Sequence, residues 1–315
     1  MNLQHFILTR FNLLLWNKDK KGKEVRSREW LEHRFMLFER YCLPSIKNQT
    51  CQSFEWIVLF DSTTPEPFKE RIGEWQKECP QLVPVYVKPK DGHRFAQIFR
   101  EEVVRRLSLK VQEFKSSSLN QELEILSISS ANTDDTNHTD KRFKRVLTTY
   151  LDNDDALNVR FVEDVQQRAQ SLADGTFIFY TEGYQYFTDH QYLMKIHYPR
   201  NHFVSVIESG NPATVKTIYG YGSHYYIDKI KGAKIEYVND TPMWCQVVHE
   251  KNIGNDAYFL GARMVNGEDF ASEFKGLMVQ EFKYGVGVYL FHFLPRYCKT
   301  FIRRCGYVIF RNRFK

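Results

Sequence analysis

No run of eighteen apolar residues occurs anywhere in the 315, so no stretch is long enough to cross a bilayer as a helix. No secretory h-region opens the chain. The six cysteines, Cys42, Cys51, Cys79, Cys245, Cys298 and Cys305, include no CxxC pair, which argues against a zinc knuckle and against a disulfide scaffold. The expected location is therefore a reducing cytoplasm. No nucleic-acid fold signature accompanies the basic residues, so nucleic acid is not an expected partner. What is present suffices for a packed core. An apolar share of 43%, with 15% aromatic, describes a globular protein, and 315 residues allow one large domain or two small ones.

The chain is organised around VLTTYLDNDDAL, residues 146–157, where a β-type run ends in three carboxylates within four positions. Val146 to Leu151 are β-branched, aromatic or aliphatic and read as a buried strand. Asp152, Asp154 and Asp155 then fall at its carboxyl end, where open α/β sheets bind ligands. If the chain is still extended there, Asp152 and Asp154 point the same way, and two like charges side by side call for a shared cation. A hard divalent ion suits them. An EF-hand is a poor alternative, because Leu157 stands where its loop needs glycine. A haloacid-dehalogenase type of phosphatase also uses Asp-x-Asp after a strand, but near the start of its domain. A third reading makes Asp155 the cap of a helix beginning near Leu157.

The order of elements sharpens the motif. His5 to Thr9 reads as a strand leading into TRFN, Trp30 to Pro44 as a helix, Phe54 to Asp61 as a strand ending in FDSTTPEP, and HRFAQIFREEVVRRL precedes the acidic strand. This order resembles the A-type (GT-A) nucleotide-sugar glycosyltransferases. More closely, TRFN, REWLEHRFMLFERYCLPSIKNQTCQSFEWIVLFDSTTP, LTTYLDNDDALNVRFVEDVQ and VVHEKNIGN resemble the putative rhamnosyltransferase family of bacterial surface-polysaccharide loci, over most of residues 5–255. The resemblance implies a mostly parallel central sheet flanked by helices, with a Rossmann-like nucleotide-binding half, about 1–157, and a mixed acceptor half, about 158–283. It also implies Mn²⁺ or Mg²⁺, a nucleotide-diphosphate sugar donor, a glycan or lipid-linked acceptor, and direct displacement with inversion.

Carried onto this chain, the family pattern gives Arg10 a nucleobase carbonyl or a phosphate, and Asp61 the base or ribose. Arg94 follows the third strand, LVPVYVK, near a helix N-terminus, where charge and helix dipole together suit the donor diphosphate. Asp152, Asp154 and Asp155 hold the metal, with Asp152 also meeting the donor. The VVHEKNIGN block makes His249 the histidine that completes that site. Residues 112–140, rich in Ser, Asn, Thr and Asp, read as a mobile insertion.

Beyond residue 180 the chain turns aromatic, with Tyr184, Tyr186, Tyr192, Tyr198, Tyr219, Tyr225 and Tyr226 among others. Sugars stack on such rings, although a half-buried antiparallel sheet would also use them. Glu208, at the end of a strand in FVSVIESG, is the first candidate for the base that deprotonates the acceptor, with Asp228, Asp240 and Asp269 as rivals. The tail, 284–315, carries seven bases and no acid, interleaved with aromatics. Without those seven of the 44 bases, 37 remain against 38 acids, so the tail supplies the positive net charge. A basic aromatic segment suits an anionic membrane surface and a peripheral place on the inner face of the cytoplasmic membrane. A metal-dependent phosphatase and a catalytically silent sugar-binding protein are the competing functions.

Overall fold

A computed structural model describes residues 3–15, 27–126, 145–249 and 261–302. Strands β1 (Leu3–Arg10), β2 (Glu55–Asp61) and β3 (Leu82–Val87) lie parallel, and β4 (Arg145–Tyr150) runs parallel to β1 on its other side. Apart from their ends, β1, β2 and β4 are buried throughout, which is why they read as continuous apolar runs with no alternation. Strand β5 (Ala156–Leu157) follows the acidic turn, and β6 (Thr176–Tyr180), β7 (Glu182–Phe187), β8 (Tyr192–His197), β9 (Val204–Ser209), β10 (Lys234–Val238), β11 (Trp244–Val248) and β12 (Arg263–Val265) complete the set. The main sheet has the order β10-β6-β9-β4-β1-β2-β3, with β9 antiparallel to both neighbours. A second sheet, β12-β8-β7-β11-β5, is mostly antiparallel. The fold is thus α/β with a mostly parallel central sheet, as the sequence suggested.

Helices cover both faces of the main sheet. On one side α1 (Arg28–Leu37) continues through a π turn, Phe38–Cys42, into α2 (Leu43–Lys47) and joins α3 (Glu66–Glu78). Phe11, Phe35, Phe38 and Trp75 meet there with ring centroids 4.6 to 5.9 Å apart, so the aromatic stripe of α1 is core. On the other side α4 (Phe95–Leu126) lays Phe99, Val103 and Leu107 against Phe6, Leu8, Ile57 and Leu59.

Two sequence expectations change. The segment read as a mobile insertion from 112 is helical to Leu126, because nothing from Phe95 to Leu126 breaks a helix and Glu, Gln, Leu and Lys sustain one after apolar periodicity fades. Residues 127–140 lie outside the described residues. The helix after the acidic turn, α5 (Phe161–Ser171), starts too late for Asp155 to cap it. Ala156 and Leu157 pair instead with Cys245 and Trp244 of β11, and the Asn158 side chain accepts the Arg160 N–H at 2.9 Å.

Candidate active site

The register of the central strands assembles one edge. Leu8 pairs with Tyr150 and Arg10 with Leu59, so Arg10, Asp61 and Asp152 emerge side by side at the carboxyl ends of β1, β2 and β4. Asn12 ties this edge together, its Oδ1 accepting the Asp61 N–H at 2.9 Å. The Asn153 side chain donates to the Phe11 carbonyl at 2.9 Å and anchors the acidic turn to β1.

The backbone turns at Asn153 and Asp154 and does not stay extended, so Asp154 parts from Asp152 and Asp155. Asp152 Oδ1 accepts from the Tyr150 hydroxyl at 2.9 Å and lies 3.8 Å from Arg10 Nη2. Asp155 Oδ2 lies 2.7 Å from His202 Nε2, and its Oδ1 accepts the Val247 N–H at 2.8 Å. Asp154 Oδ2 accepts from Arg34 Nη1 at 2.8 Å and faces His249 Nε2 at 2.9 Å. Among the described residues, Asp152, Asp155 and His202 are therefore the ones whose ligand atoms converge, all lying within 4.8 Å of one another. Asp154 and His249 do meet, and the same Asp154 oxygen also takes Arg34 from α1.

Burial sets the electrostatics. It pushes the Asp155 carboxyl up to about 7, with Asp154 and Asp152 adding to the rise and His202 opposing it. His202 is itself lifted above its ordinary value, since the carboxylates around it, Asp155 foremost, outweigh its own desolvation. Burial acts the same way on Asp154, yet Arg34 and His249 outweigh it and hold that carboxyl well below the usual range.

Arg10 is caged by rings, its guanidinium 4.8 Å from the centroid of Phe95, 5.2 Å from Tyr219 and 5.7 Å from Tyr150. A cleft of about 420 Å³ opens at the ends of β1 and β2, lined by Asn12, Trp30, Asp61, Thr63, Thr64 and Phe68 among others. Asp61 is buried there, and its Oδ1 accepts from the backbone and the hydroxyl of Thr63 at 2.8 and 2.6 Å. Arg94 turns to Asp91 at 3.5 Å and Gln97 at 3.1 Å on its own turn, and the next residue, Phe95, is the one that reaches Arg10.

Glu208 is not brought to this edge, which corrects its reading as the acceptor base. Strand β9 is antiparallel to β4, and Glu208 pairs with Val146, so the end of β9 lies at the amino end of β4. The start of β9 lies beside the acidic turn instead, and that is how His202 arrives. The sequence carries no mark of this, because strand direction is not written in a local apolar run. Among the rivals, Asp228 pairs with Arg200 on a turn, His224–Lys229, whose His224 ring centre is 5.9 Å from that of His202. Asp240 is tied to Arg168 at 3.1 Å, and Asp269 heads the short helix Phe270–Glu273. Tyr184, Tyr186, Tyr192 and Tyr219 are buried, whereas Tyr225 and Tyr226 are exposed. Arg34 was hidden within a helix that reads as core.

Against known proteins, the chain matches the profile described as "Putative rhamnosyl transferase" over residues 4–115 and 103–259. No curated protein matches it. Similar solved structures include residues 1–349 of S. aureus TarS, at 8% identity, 78% of this chain, 60% of that chain and a TM-score of 0.38. The same fragment in complex with UDP gives 8%, 79%, 61% and 0.36, and a further S. aureus TarS structure 8%, 86%, 38% and 0.34. The chain thus spans at most 61% of the length of these proteins. Two overlapping profile matches, which together extend from the first strand through the acidic turn to His249 and beyond, place the chain in the family of putative rhamnosyl transferases.

Proposed function

We propose that the chain is a glycosyltransferase that moves a sugar from a nucleotide-diphosphate donor to a glycan or lipid-linked acceptor. The observation that carries this reading is the convergence of Asp152, Asp155 and His202 beside Arg10, next to an open cleft on the same strand edge. Two carboxylates and an imidazole suit Mn²⁺ or Mg²⁺, and a bound ion would neutralise the charge that develops on the departing diphosphate. Asp154, which meets both Arg34 and His249, holds the turn that presents this group. Asp61, Asn12 and Trp30 line space for base and ribose, and a cleft of that size matches a nucleoside. Arg10 faces the diphosphate, its plane fixed by three rings so that little order is lost on binding.

The transferred sugar, by family membership, is rhamnose or another deoxyhexose. The reaction is a single displacement with inversion: the acceptor oxygen bonds to the anomeric carbon as the bond to the phosphate oxygen breaks, and the nucleoside diphosphate leaves. The acceptor lies on the side of residues 158–283, where Tyr225 and Tyr226 offer exposed faces for stacking, 47% and 60% accessible. Among the described residues no helix is long and apolar enough to cross a membrane. Attachment to an anionic membrane surface is assigned to the basic tail, 284–315.

Replacing Asp155 by Asn tests the role of the converging group. Transfer from a panel of nucleotide-sugar donors, followed by released nucleoside diphosphate, should fall at least about a hundredfold while the melting temperature stays within a few degrees. Transfer at the wild-type rate would contradict the assignment.

A further inference from the structure

Strain and unsatisfied hydrogen bonding fall together on one short arm, residues 216–221, that leads to Arg10. Its root is Glu208. The two carboxylate oxygens of Glu208 accept the backbone N–H groups of Lys216 at 2.8 Å and Thr217 at 2.9 Å, and one also accepts the Tyr221 hydroxyl at 3.0 Å. Thr217 is held at φ 65°, ψ 164°, a region that a β-branched residue avoids, and its buried hydroxyl finds no hydrogen-bond partner among the described residues. The arm then climbs beside β4. Ile218 N–H donates to Thr148 Oγ1 at 2.8 Å, and Tyr219 arrives level with Tyr150, their ring centres 4.8 Å apart.

At the tip, Tyr219 stacks flat on Phe99, centroids 4.8 Å apart and planes 6° apart, with the Arg10 guanidinium over its ring at 5.2 Å. Among the described residues the buried Tyr219 hydroxyl and the buried Arg10 Nε both find no hydrogen-bond partner. A conformation this costly persists only where its surroundings over-determine it, and such outliers gather at functional sites. What the arm delivers is a wall for the Arg10 guanidinium, whose Nη2 donates to the Tyr150 hydroxyl at 2.8 Å and lies 3.8 Å from Asp152, with the Tyr150 hydroxyl bridging the two.

We infer that Glu208 is a positioning residue: by clamping the strained turn at Thr217 it holds Tyr219 against Arg10, and so keeps Arg10 turned toward the donor diphosphate. This rests on the reading of Arg10 as a diphosphate ligand. When the clamp is lost, Thr217 relaxes, Tyr219 withdraws, and Arg10 closes onto Asp152.

A double-mutant cycle on the full chain tests it, with inorganic pyrophosphate and Mn²⁺ as the calorimetric probe. Glu208→Gln keeps the shape but sets an N–H₂ group against a backbone N–H, breaking one arm of the clamp. It should weaken pyrophosphate about tenfold in the wild-type background and less than about twofold with Arg10→Ala present. Equal weakening in both backgrounds, or none in the wild type, overturns the proposal. If Arg10→Ala binds pyrophosphate as the wild type does, the donor reading itself fails, an outcome distinct from loss of the clamp alone. Should Glu208→Gln unfold the chain, Tyr219→Leu serves, since it removes the ring beside Arg10 and leaves the Glu208 clamp intact. It should weaken pyrophosphate in the same Arg10-dependent way, and wild-type affinity in Tyr219→Leu overturns the proposal.

Discussion

Each carboxylate of the acidic turn is answered by a different cationic or imidazole group: Asp152 by Arg10, Asp154 by Arg34 and His249, Asp155 by His202. The number of acids and their place at a strand end were legible in the sequence, because both follow from composition alone. Their directions were not, because one turn at Asn153 and Asp154 decides which pair converges. Another buried histidine gives a residue-scale prediction. His5, wholly buried between Thr149 and Gln166, has its pKa lowered by desolvation from 6.5 to about 3. The unfolded chain therefore binds a proton below pH 6.5 that the folded chain refuses until about pH 3. Stability present above that window is lost as pH falls through it, by up to about 1.4 kcal/mol per pH unit. Urea melts of His5→Gln should show a shallower loss between pH 6 and 4 than the wild type, and parallel curves would contradict this account of His5.

At the scale of elements, the short pairing of β5 with β11 does the most for the site, since it carries Val247 and His249 up to the acidic turn. Two residues are too few to announce a strand, so β5 was not legible, whereas β1, β2, β3, β4 and α3 were, each being a long run of one period. The pairing depends on Trp244, which is fully buried, stacks on Phe203 at 4.9 Å and donates to the Tyr180 carbonyl at 2.7 Å. Its indole lies directly on Gly183, where an added Cβ would fall 2.2 Å from ring carbons. Gly183→Ala should therefore cost at least about 1–3 kcal/mol, because a buried indole has nowhere to go. Thermal melts would read the loss, and an unchanged midpoint would mean that β7 and β11 are packed less tightly than described.

At the scale of the whole molecule, the described part of the tail packs onto the domain. Residues 286–302 are helical, and Phe293 is buried against Phe187, Tyr192 and Met194, while Arg296 donates to the Tyr192 hydroxyl at 3.2 Å. Cutting the chain after Lys283 would open that cluster, so truncation is a poor test of docking. The outward side remains unusually apolar: Val286, Leu290, Phe291, Phe301 and Ile302 are 47% to 78% exposed, in a region with no acid. Replacing Phe291 and Ile302 together by Ser should leave the melting temperature unchanged and reduce sedimentation with anionic liposomes severalfold at low salt. Equal sedimentation would rule out this face as the anchor.

The central claim is that the strand edge holding Arg10, Asp61, Asp152, Asp155 and His202 is a metal-assisted site for a nucleoside diphosphate. Calorimetric titration of nucleoside diphosphates with excess Mn²⁺, and again in chelator, tests it most directly. The account predicts binding with Mn²⁺ that is lost in chelator and in Asp152→Asn; equal affinity under all three conditions would contradict it.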